Sequence, residues 1–500
     1  MAQITVPGRI VGKIACVILA AALAAALVAA PVPAQDQPGG ARASIEIAKS
    51  PGVAARRAKL METVKDGLLI IPSQSSSRGG LRDNLNFVYL TGLREPDAVL
   101  VLDPAGDPRE TVFRRPARRD GTAASGGGGG QAPGREGPEP GPGLVERPAD
   151  QLAAALRGLA FSGRAKRIGL PFSDLDFLVR TFGASGPPGP FGRSDAIFNI
   201  DPALAEMRLT KDAEEIAALR EAVDLTAEAL TEAFRAAEPK MREVDLAAVL
   251  RFYFDRRGTD DSFLQAASGP NATNIHFGAT ARPLASGDLV VFDVGAYIRG
   301  YTSDISRTIP ASGRFTKEQR AIYELVLSAE KAGCAKLVPG ITFKAVQTEV
   351  EDILMAGLAG LGLVTDARSP WQRRLYIQHG FGHGIGLDVH DAWSWHSPRL
   401  DKVVMAPGMV MTMEPGLYFP EVRLEAFLDG LEGQVPGEEI AAFREKVGPV
   451  YKRYAGIGVR IEDDVLITAG GSEILSGRVP KEAAEAEKTV REKSPFNLVR

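Results

Sequence analysis

Cysteine is scarce in this sequence, with two residues among 500, Cys16 and Cys334. Cys16 lies in an apolar N-terminal segment that we predict is removed, so Cys334 would be the only cysteine of the mature chain. An intrachain disulfide is then excluded, and the fold must be held by its hydrophobic core or by a bound metal. The patterns Cys-x-x-Cys and His-Glu-x-x-His are also missing, which argues against a mononuclear zinc site.

A surplus of positive charge is missing as well. The net charge is -3 at pH 7, and no region collects a sustained stripe of lysine and arginine. Nucleic-acid-binding proteins show such a basic footprint, so we expect no nucleic-acid partner. The composition, 45% hydrophobic and 24% charged, is ordinary for a globular protein, and the length allows two domains.

Residues 1–34 have the three parts of an export signal. Arg9 and Lys13 supply a positive start, an apolar core rich in alanine follows, and residues 32–34 are small enough for cleavage. We therefore predict a cleaved signal peptide and an exported protein, periplasmic or secreted, with no stable membrane span after cleavage. The alternative is an uncleaved N-terminal membrane anchor, since the apolar core is nearly long enough to cross a bilayer.

Residues 45–205 are predicted to form a first domain of mixed α/β structure. Short β-rich runs, among them residues 67–71, 86–90 and 97–102, are punctuated by glycine and proline, with helices between them. Residues 121–143 contain five consecutive glycines and then a Pro/Gly/Glu tract. That composition offers no apolar face to bury, so we expect a disordered surface insertion.

Residues 207–480 are predicted to form a second domain of the α+β class, because its helices and antiparallel strands are grouped and do not strictly alternate. Thr210 is predicted to cap one helix, and residues 316–319, Thr-Lys-Glu-Gln, form a capping box that begins another. Residues 481–500 are a charged tail, which we expect to be a solvated helix or disordered.

The histidines are confined to one part of the chain. They are His276, His379, His383, His390 and His396. All five lie within or just before the stretch 293–462, and none lies elsewhere. Because imidazole titrates near neutrality and binds metals, this confinement points to a chemical site in that stretch.

Two aspartates in this stretch are predicted to share one face of a β-hairpin. Asp293 ends a buried strand, and Asp304 lies on the returning strand, with the reversal near Arg299 and Gly300. A turn centred at 298/299 places the two aspartates directly opposite, and one centred at 299/300 places them two positions apart diagonally. In both registers they are close enough for one ion cluster. Two unpaired carboxylates on a buried face repel each other, and a cation is the simplest remedy.

Three further side chains complete a possible metal site. Glu414 follows an apolar strand, Glu462 lies on an alternating strand, and His383 lies in a glycine-rich segment. Two divalent cations would balance Asp293, Asp304 and the two glutamates, and a bridging hydroxide would then be the reactive surplus charge, suited to attack a carbonyl. Oxygen-rich ligation with one imidazole favours Mn²⁺, whereas Co²⁺ or Zn²⁺ fit less well.

The stretch resembles the pita-bread metallopeptidases, most closely aminopeptidase P (Xaa-Pro aminopeptidase) and prolidase. The matching features are the eleven-residue spacing of Asp293 and Asp304, GHGIGLDVHD at 382–391, MEPGLY at 413–418 and GVRIEDD at 458–464. Residues 82–103 resemble the N-terminal domain of the same proteins. The resemblance implies a C-terminal pita-bread domain and a dinuclear aminopeptidase that releases the first residue of peptides with proline second. It also implies a homo-oligomer, a dimer or a tetramer.

The resemblance also implies roles for individual residues. The metal ligands would be Asp293, Asp304, His383, Glu414 and Glu462. Asp304 and Glu462 would bridge the two ions, and Glu414 would also carry the proton from the attacking water to the leaving nitrogen.

The remaining polar residues of the site would serve the substrate. His276 corresponds to the substrate-site histidine of the family, and His390 would contact the peptide and steady the tetrahedral oxyanion. His379 and Arg460 would line or brace the pocket. His396 matches no ligand position, and we expect it at the surface or the substrate rim.

Two alternatives stay open. A prolidase would be limited to Xaa-Pro dipeptides, and an inactive pita-bread binding protein would keep the fold without catalysis, although all five ligands are present. The chain departs from the family pattern at residues 421–455, which contain an extra predicted helix, 437–454. A helix packed beside the mouth of the site would restrict substrate length.

Overall fold

The structure is a computed structural model of the chain. It describes residues 51–65, 67–77, 80–115, 141–162, 167–182, 196–391 and 400–497. The predicted signal peptide, His396 and all but the last three residues of the predicted insertion lie outside these residues.

The first domain is built on a six-stranded mixed sheet. The strands of this domain are β1 (Leu68–Pro72), β2 (Gln74–Ser77), β3 (Gly80–Asp83), β4 (Val99–Leu102), β5 (Glu110–Arg114), β6 (Val145–Pro148), β7 (Ile168–Leu170) and β8 (Ile197–Asn199). Strands β2 and β3 pair with each other and lie outside the six-stranded sheet. The sheet order is β6-β5-β4-β1-β7-β8. Central strand β1 pairs with β4 antiparallel and with β7 parallel, and it is buried along its whole length. Such a strand needs apolar side chains on both faces, which its Leu-Leu-Ile-Ile sequence provides. The predicted mixed α/β class is confirmed.

Five α-helices accompany this sheet in the described part of the domain. They are α1 (Pro51–Thr63), α2 (Leu85–Thr91), α3 (Leu152–Phe161), α4 (Leu175–Phe182) and α5 (Asp201–Leu209). The prediction of a β-rich run at 86–90 is wrong, because these residues form α2. The Asn84 side chain accepts the N–H of Asn86 at its start, and Gly92 ends the helix with φ 70°. Capping at both ends outweighs the β-propensity of Phe-Val-Tyr.

The second domain groups its helices and antiparallel strands, which confirms the α+β class. The helices are α6 (Ala213–Ala236), α7 (Glu243–Arg256), α8 (Lys317–Lys336), α9 (Phe343–Gly360), α10 (Pro370–Tyr376), α11 (Arg423–Asp429), α12 (Gly437–Tyr454) and α13 (Ala483–Val490). The strands are β9 (Asp261–Ser268), β10 (Leu289–Ile298), β11 (Tyr301–Thr302), β12 (Ile305–Pro310), β13 (Val410–Met413), β14 (Gly416–Tyr418), β15 (Gly458–Arg460), β16 (Asp463–Thr468) and β17 (Gly471–Ile474). Strand β10 pairs with β9, β11 and β12, β16 lies between β13 and β17, and β14 pairs with β15.

The helix starts agree with the sequence in one case and differ in another. The capping box at 316–319 begins α8 as predicted. Helix α6 is capped by Asp212 and not by Thr210, because Asp212 and Glu215 exchange side-chain and backbone hydrogen bonds in a capping box. Thr210 instead forms a β-bridge with the residue before β13.

The charged tail is a helix in part, but that helix is not fully solvated. One face of α13, with Ala483, Ala486 and Val490, is buried. Just before it, Lys481 Nζ lies 2.9 Å from both carboxylate oxygens of the buried Glu330. Apolar burial and this ion pair hold the segment against the second domain.

One hydrophobic cluster contains residues of both domains. Leu69 and Phe87 of the first domain belong to it together with Leu219, Ile385 and Val410 of the second. Ile385 lies in the glycine-rich segment and Val410 in β13. The first domain therefore packs against elements that also carry candidate site residues.

The extra helix α12 spans 437–454, the bounds expected from the sequence. Its buried face includes Phe443, which meets Trp371 of α10 edge-on with ring centroids 4.7 Å apart. Trp371 Nε1 donates to Glu439 at 2.7 Å, and Tyr451 packs against Phe419 just after β14. These contacts anchor α12 in the core of the second domain, behind β14.

Replacing Phe443 with alanine is expected to destabilise the fold by about 3–5 kcal/mol, because a fully packed aromatic ring leaves a cavity. Denaturant unfolding followed by fluorescence measures the change. Phe161→Ala is the matched control, since that ring is 72% exposed, and it is expected to shift the midpoint little. Equal shifts for the two variants would contradict the packing described here.

Candidate metal centre

The hairpin of β10 and β12 sets the positions of the two aspartates. Ile298 pairs with Tyr301, and Asp293 pairs with Ser306. The turn is therefore centred at 299/300, which is the second of the two predicted registers, and Asp304 lies two positions away from the partner of Asp293. Both turn residues have positive φ, 50° and 86°, as a two-residue hairpin turn of this hand requires.

Three buried side chains meet beside this hairpin. Asp304, His383 and Glu462 each offer a ligand atom, and these atoms all lie within 4.8 Å of one another. His383 Nε2 is 3.4 Å from Asp304 Oδ2 and 3.4 Å from Glu414 Oε1. Ser306 links the remaining aspartate, because its Oγ lies 2.9 Å from Asp293 Oδ1 and 2.7 Å from Glu462 Oε2. All five predicted ligands are thus neighbours, and their ligand role stays a prediction.

Backbone hydrogen bonds fix the segments that carry these side chains. His383 N donates to Thr412 Oγ1 at 3.0 Å, and Thr412 N donates to the His383 carbonyl at 2.8 Å. A Cβ on Gly382 would lie 2.2 Å from the Thr412 carbonyl oxygen, so the close approach of the glycine-rich segment to β13 requires glycine. Glu462 N donates to the Ser306 carbonyl, which joins its strand end to β12.

The carboxylates of the site resist ionisation. Burial first, and the neighbouring carboxylates second, raise the pKa of Asp304 and of Glu462 well above the usual range. Burial raises the pKa of Glu414 to about 7, against the lowering effect of His383 and Arg460. The one positive charge of Arg460 does not neutralise these buried carboxylates. Added cations would therefore stabilise the ionised forms of the carboxylates.

Two oxygen atoms support the same conclusion. Asp304 Oδ1 and Glu462 Oε1 are buried and have no hydrogen-bond partner in the described part of the chain. A buried acceptor without a partner is destabilising by about 1–3 kcal/mol. Carboxylate oxygens with one imidazole nitrogen are a donor set that divalent cations accept. The residues present therefore fit divalent cations.

Arg460 braces the acidic side of the site. Its guanidinium is fully buried and donates to the carboxylate of Asp293, to Ser306 Oγ at 2.8 Å and to the Tyr418 hydroxyl at 2.9 Å. It also donates to the Ile275 carbonyl at 3.0 Å. One side chain thus contacts a metal-ligand candidate, the serine that holds it and two groups outside the cluster.

The other histidines surround the cluster at different depths. His379 Nδ1 lies 3.7 Å from Glu414 Oε2, and burial, helped by the charge of Arg460, lowers the pKa of His379 to about 4.

The His390 ring meets His383 edge-on with centroids 4.4 Å apart, and the His390 side chain is exposed. His276 is also exposed, and partial burial together with Arg460 lowers its pKa. The structure therefore brings His379 and His390 next to the ligand candidates and leaves His276 exposed.

The sequence pattern did not reveal the parts played by Ser306 and Tyr418 or the partners of two acids. Asp463 and Asp464, which follow Glu462 directly, are both buried. Asp463 pairs with Arg307 at 2.6 Å, and Asp464 accepts the N–H of Asp304 at 3.0 Å. Period-two spacing from Asp304 would have found Ser306, since residues two apart share a strand face.

Comparisons with known proteins identify the family. Residues 217–469 match the model for metallopeptidase family M24, and residues 53–123 match the model for the aminopeptidase P N-terminal domain. The chain belongs to the Xaa-Pro aminopeptidase family. As a member of M24 it is a metal-dependent hydrolase, with a C-terminal pita-bread domain after an N-terminal α/β domain, as the sequence resemblance implied.

Individual relatives agree with this assignment over most of the chain. The Xaa-Pro aminopeptidase of Escherichia coli K12 is 32% identical over 469 residues, which cover 86% of this chain and 96% of that protein. Xaa-Pro aminopeptidase 1 of Streptomyces coelicolor is 30% identical over 478 residues, 88% of this chain and 87% of that protein. Among solved structures, Pseudomonas aeruginosa aminopeptidase PepP superposes with a TM-score of 0.69 at 30% identity and covers 89% of this chain and 98% of that chain.

Divalent cations are expected to displace protons when they bind this site. Below about pH 7 the metal-free protein holds protons on Glu414 and its neighbours, so a bound cation must release them, and affinity should rise as the pH rises through about 7. Calorimetry in buffers of different ionisation enthalpy measures the protons released. Glu414→Gln should release fewer, and affinity that falls with rising pH would contradict the electrostatics described.

Asp304→Ala is expected to lower the bound metal and reduce peptidase activity to below about one hundredth of wild type. Loss of a residue that merely supports a ligand already weakens such sites about 10–100-fold, and Asp304 is central to the cluster. Metal analysis of the purified variant alongside activity checks this. Asp429→Ala is the control, because that carboxylate is 74% exposed on α11. Full metal content in Asp304→Ala would refute the site.

Proposed function

We propose that this chain is a metal-dependent aminopeptidase that releases the N-terminal residue from peptides with proline in the second position. The observation that carries the proposal is a buried cluster of Asp304, His383 and Glu462. Two carboxylate oxygens of this cluster have no hydrogen-bond partner among the described residues and could bind cations. It is supported by relatives named Xaa-Pro aminopeptidase that match over 86–88% of the chain.

The proposal assigns the metals to the five clustered side chains. Two divalent cations would be held by Asp293 and Asp304 on the hairpin and by His383, Glu414 and Glu462. When bound, the pair supplies polarisation of the scissile carbonyl and activation of a water molecule. Mn²⁺ is the proposed metal because oxygen donors outnumber nitrogen donors, with Co²⁺ and Zn²⁺ as the alternatives.

The chain itself would manage protons and orientation. Glu414 lies between His383 and His379, and its carboxylate would carry the proton from the attacking water to the leaving nitrogen, as the family resemblance implies. His390, exposed beside His383, would donate to the oxyanion that forms at the scissile carbonyl. His276 and His379 would flank the residues next to the scissile bond, and Arg460 would hold the pocket wall.

Two features of the proposal rest on the sequence and the family alone. Residues 1–34 support export to the periplasm or the medium, and N-terminal sequencing of the mature protein would test signal cleavage. No helix in the described ranges is long and apolar enough to cross a membrane. Homo-oligomerisation, as a dimer or tetramer, is proposed from the family resemblance, and light scattering of the purified protein would test it.

A small peptide panel is expected to define the activity. With Mn²⁺ present, the enzyme should release alanine from Ala-Pro-Ala and longer Ala-Pro peptides but not from Ala-Ala-Ala, because the site must accept proline after the scissile bond. Chromatography of the products with metal content measured alongside checks this. Turnover of Ala-Pro alone would establish the prolidase alternative. A folded, metal-loaded protein that cleaves none of them would establish the inactive binding protein.

A further inference from the structure

His276 lies on a loop, residues 268–280, that follows β9; we call it the His276 loop. Its two end residues are joined by one carboxylate, that of Glu243 at the start of α7. Glu243 Oε1 accepts from Ser268 N at 2.7 Å and from Ser268 Oγ at 2.8 Å. Glu243 Oε2 accepts from Thr280 N at 3.0 Å and from Thr280 Oγ1 at 2.5 Å. A single side chain thus closes the loop at its base.

The Glu243 carboxylate is buried and fully used. Glu243 is 0% exposed, and Asn271 Nδ2, inside the loop, adds a further donor 3.0 Å from Oε1. A carboxylate only accepts, with about four lone-pair sites, so these N–H and O–H groups all depend on the same two oxygens. Without an acceptor there, buried donors at both ends of the loop would be left unsatisfied.

The start of the loop is also tied to the strand that carries Asp293. Arg282 Nη1 donates to Ser268 Oγ at 2.6 Å and to Asp288 Oδ2 at 2.6 Å, and Asp288 directly precedes β10. A Cβ at Gly269, where φ is 54°, would lie 2.6 Å from Asp288 Oδ1, so this close approach requires glycine. The base of the loop is therefore fixed relative to β10, by contacts that do not involve Glu243 alone.

The backbone on each side of His276 is held from the metal centre. The carbonyl of the preceding residue accepts from Arg460 Nη1 at 3.0 Å, and the N–H of the following residue donates to Gln265 Oε1 at 2.9 Å. Arg460 also donates to the Asp293 carboxylate. Gln265 lies directly opposite Asp293 in the register of β9 and β10, which places their side chains on one face of the sheet. The exposed His276 thus lies between two anchors that both belong to the surroundings of Asp293.

We propose that Glu243 and Gln265 are positioning residues that fix the His276 loop and so hold the His276 imidazole in place for the substrate. This inference rests on the proposed function, in which His276 flanks the residues next to the scissile bond. Neither residue is a candidate metal ligand, and each acts on His276 through the loop backbone. Anchoring orders the imidazole before the substrate arrives, so that this conformational entropy is not lost again in each binding event.

A double-mutant cycle tests whether Glu243 acts through His276. In the Mn²⁺-loaded enzyme with Ala-Pro-Ala as substrate, Glu243→Gln should lower kcat/KM about tenfold, because its NH₂ group faces the N–H donors at one end of the loop. In a His276→Ala background the same change should lower kcat/KM less than about twofold, since the side chain that the loop positions is gone. Additive effects of the two changes, or wild-type kcat/KM in Glu243→Gln, would overturn the inference.

Gln265→Leu is a second variant that keeps the test decisive if Glu243→Gln does not fold. It removes the acceptor of the N–H after His276, and Gln265 Nε2 has no partner to lose in the described part of the chain. This variant should also lower kcat/KM about tenfold and show the same coupling to His276→Ala. Metal content should equal that of wild type, and loss of metal in Gln265→Leu would contradict a role exerted through His276.

Glu232→Gln is the matched control. Glu232 is 7% exposed, lies on α6 and accepts from Ser494 Oγ at 2.6 Å, so it ties the C-terminal segment and not the His276 loop. It loses a buried glutamate of the same domain, but kcat/KM should stay within about twofold of its parent in both backgrounds. A fall equal to that of Glu243→Gln would indicate general core damage and refute the positioning role.

Hydrogen exchange read by mass spectrometry follows the loop without substrate. Peptides that cover residues 274–278, whose amides do not contact Glu243, should exchange about tenfold faster in Glu243→Gln and in Gln265→Leu than in wild type, because the loop opens more often. The same peptides should be unchanged in Glu232→Gln. Wild-type exchange in both Glu243→Gln and Gln265→Leu would show that neither residue holds the loop.

The two readouts separate this inference from the proposed function. If no Xaa-Pro peptide is cleaved, the proposed function fails, whereas hydrogen exchange still decides whether Glu243 and Gln265 hold the loop. If peptides are cleaved and the effects of Glu243→Gln and His276→Ala are additive, the proposed function stands and the positioning role fails.

Discussion

The structure depends on the burial of several carboxylates against one imidazole with a single guanidinium to offset them. Buried charges of one sign are strongly destabilising unless they are paired, protonated or bound to metal. Arg460 and Ser306 relieve part of the repulsion between the carboxylates. The pKa values of Asp304 and Glu462 are still raised, because burial and the remaining repulsion disfavour their ionised forms. This excess of negative charge would destabilise a metal-free protein, and it favours the binding of cations. Cation binding would therefore stabilise the fold and also supply the chemistry of the site.

The elements around the site are arranged so that backbone approaches backbone closely. Gly382 allows the His383 segment to lie against β13, and Gly416 allows the Tyr418 ring to fold over its own strand. In each case the space left by a glycine lets a candidate site imidazole take a fixed position, His383 in the first case and His379 in the second. The glycines of GHGIG and EPGLY are therefore part of the site through the space they leave.

A second buried ionic group connects the end of the chain to the site. Arg307 donates to the Glu462 carbonyl and pairs with Asp463, and Lys481, just before α13, pairs with Asp463 and Glu330. The C-terminal segment thus contacts the strand that begins next to Glu462. What the sequence presents as a charged tail is part of the framework behind that ligand candidate.

The sequence by itself determined the fold class, the family, the cap of α8, the bounds of α12 and the grouping of acids and histidines in one stretch, because local spacing and residue type carry that information. It did not determine the hairpin register, the helix at α2, the burial of Asp463 and Asp464, or the link from Arg460 through Tyr418 to His379. These depend on contacts between residues far apart in the chain: Ser306 and Glu462 are 156 positions apart, and Asp304 and Asp464 are 160. Only packing of the complete domain decides which of many possible polar partners meet, since the net free energy of each pairing depends on what else is buried beside it.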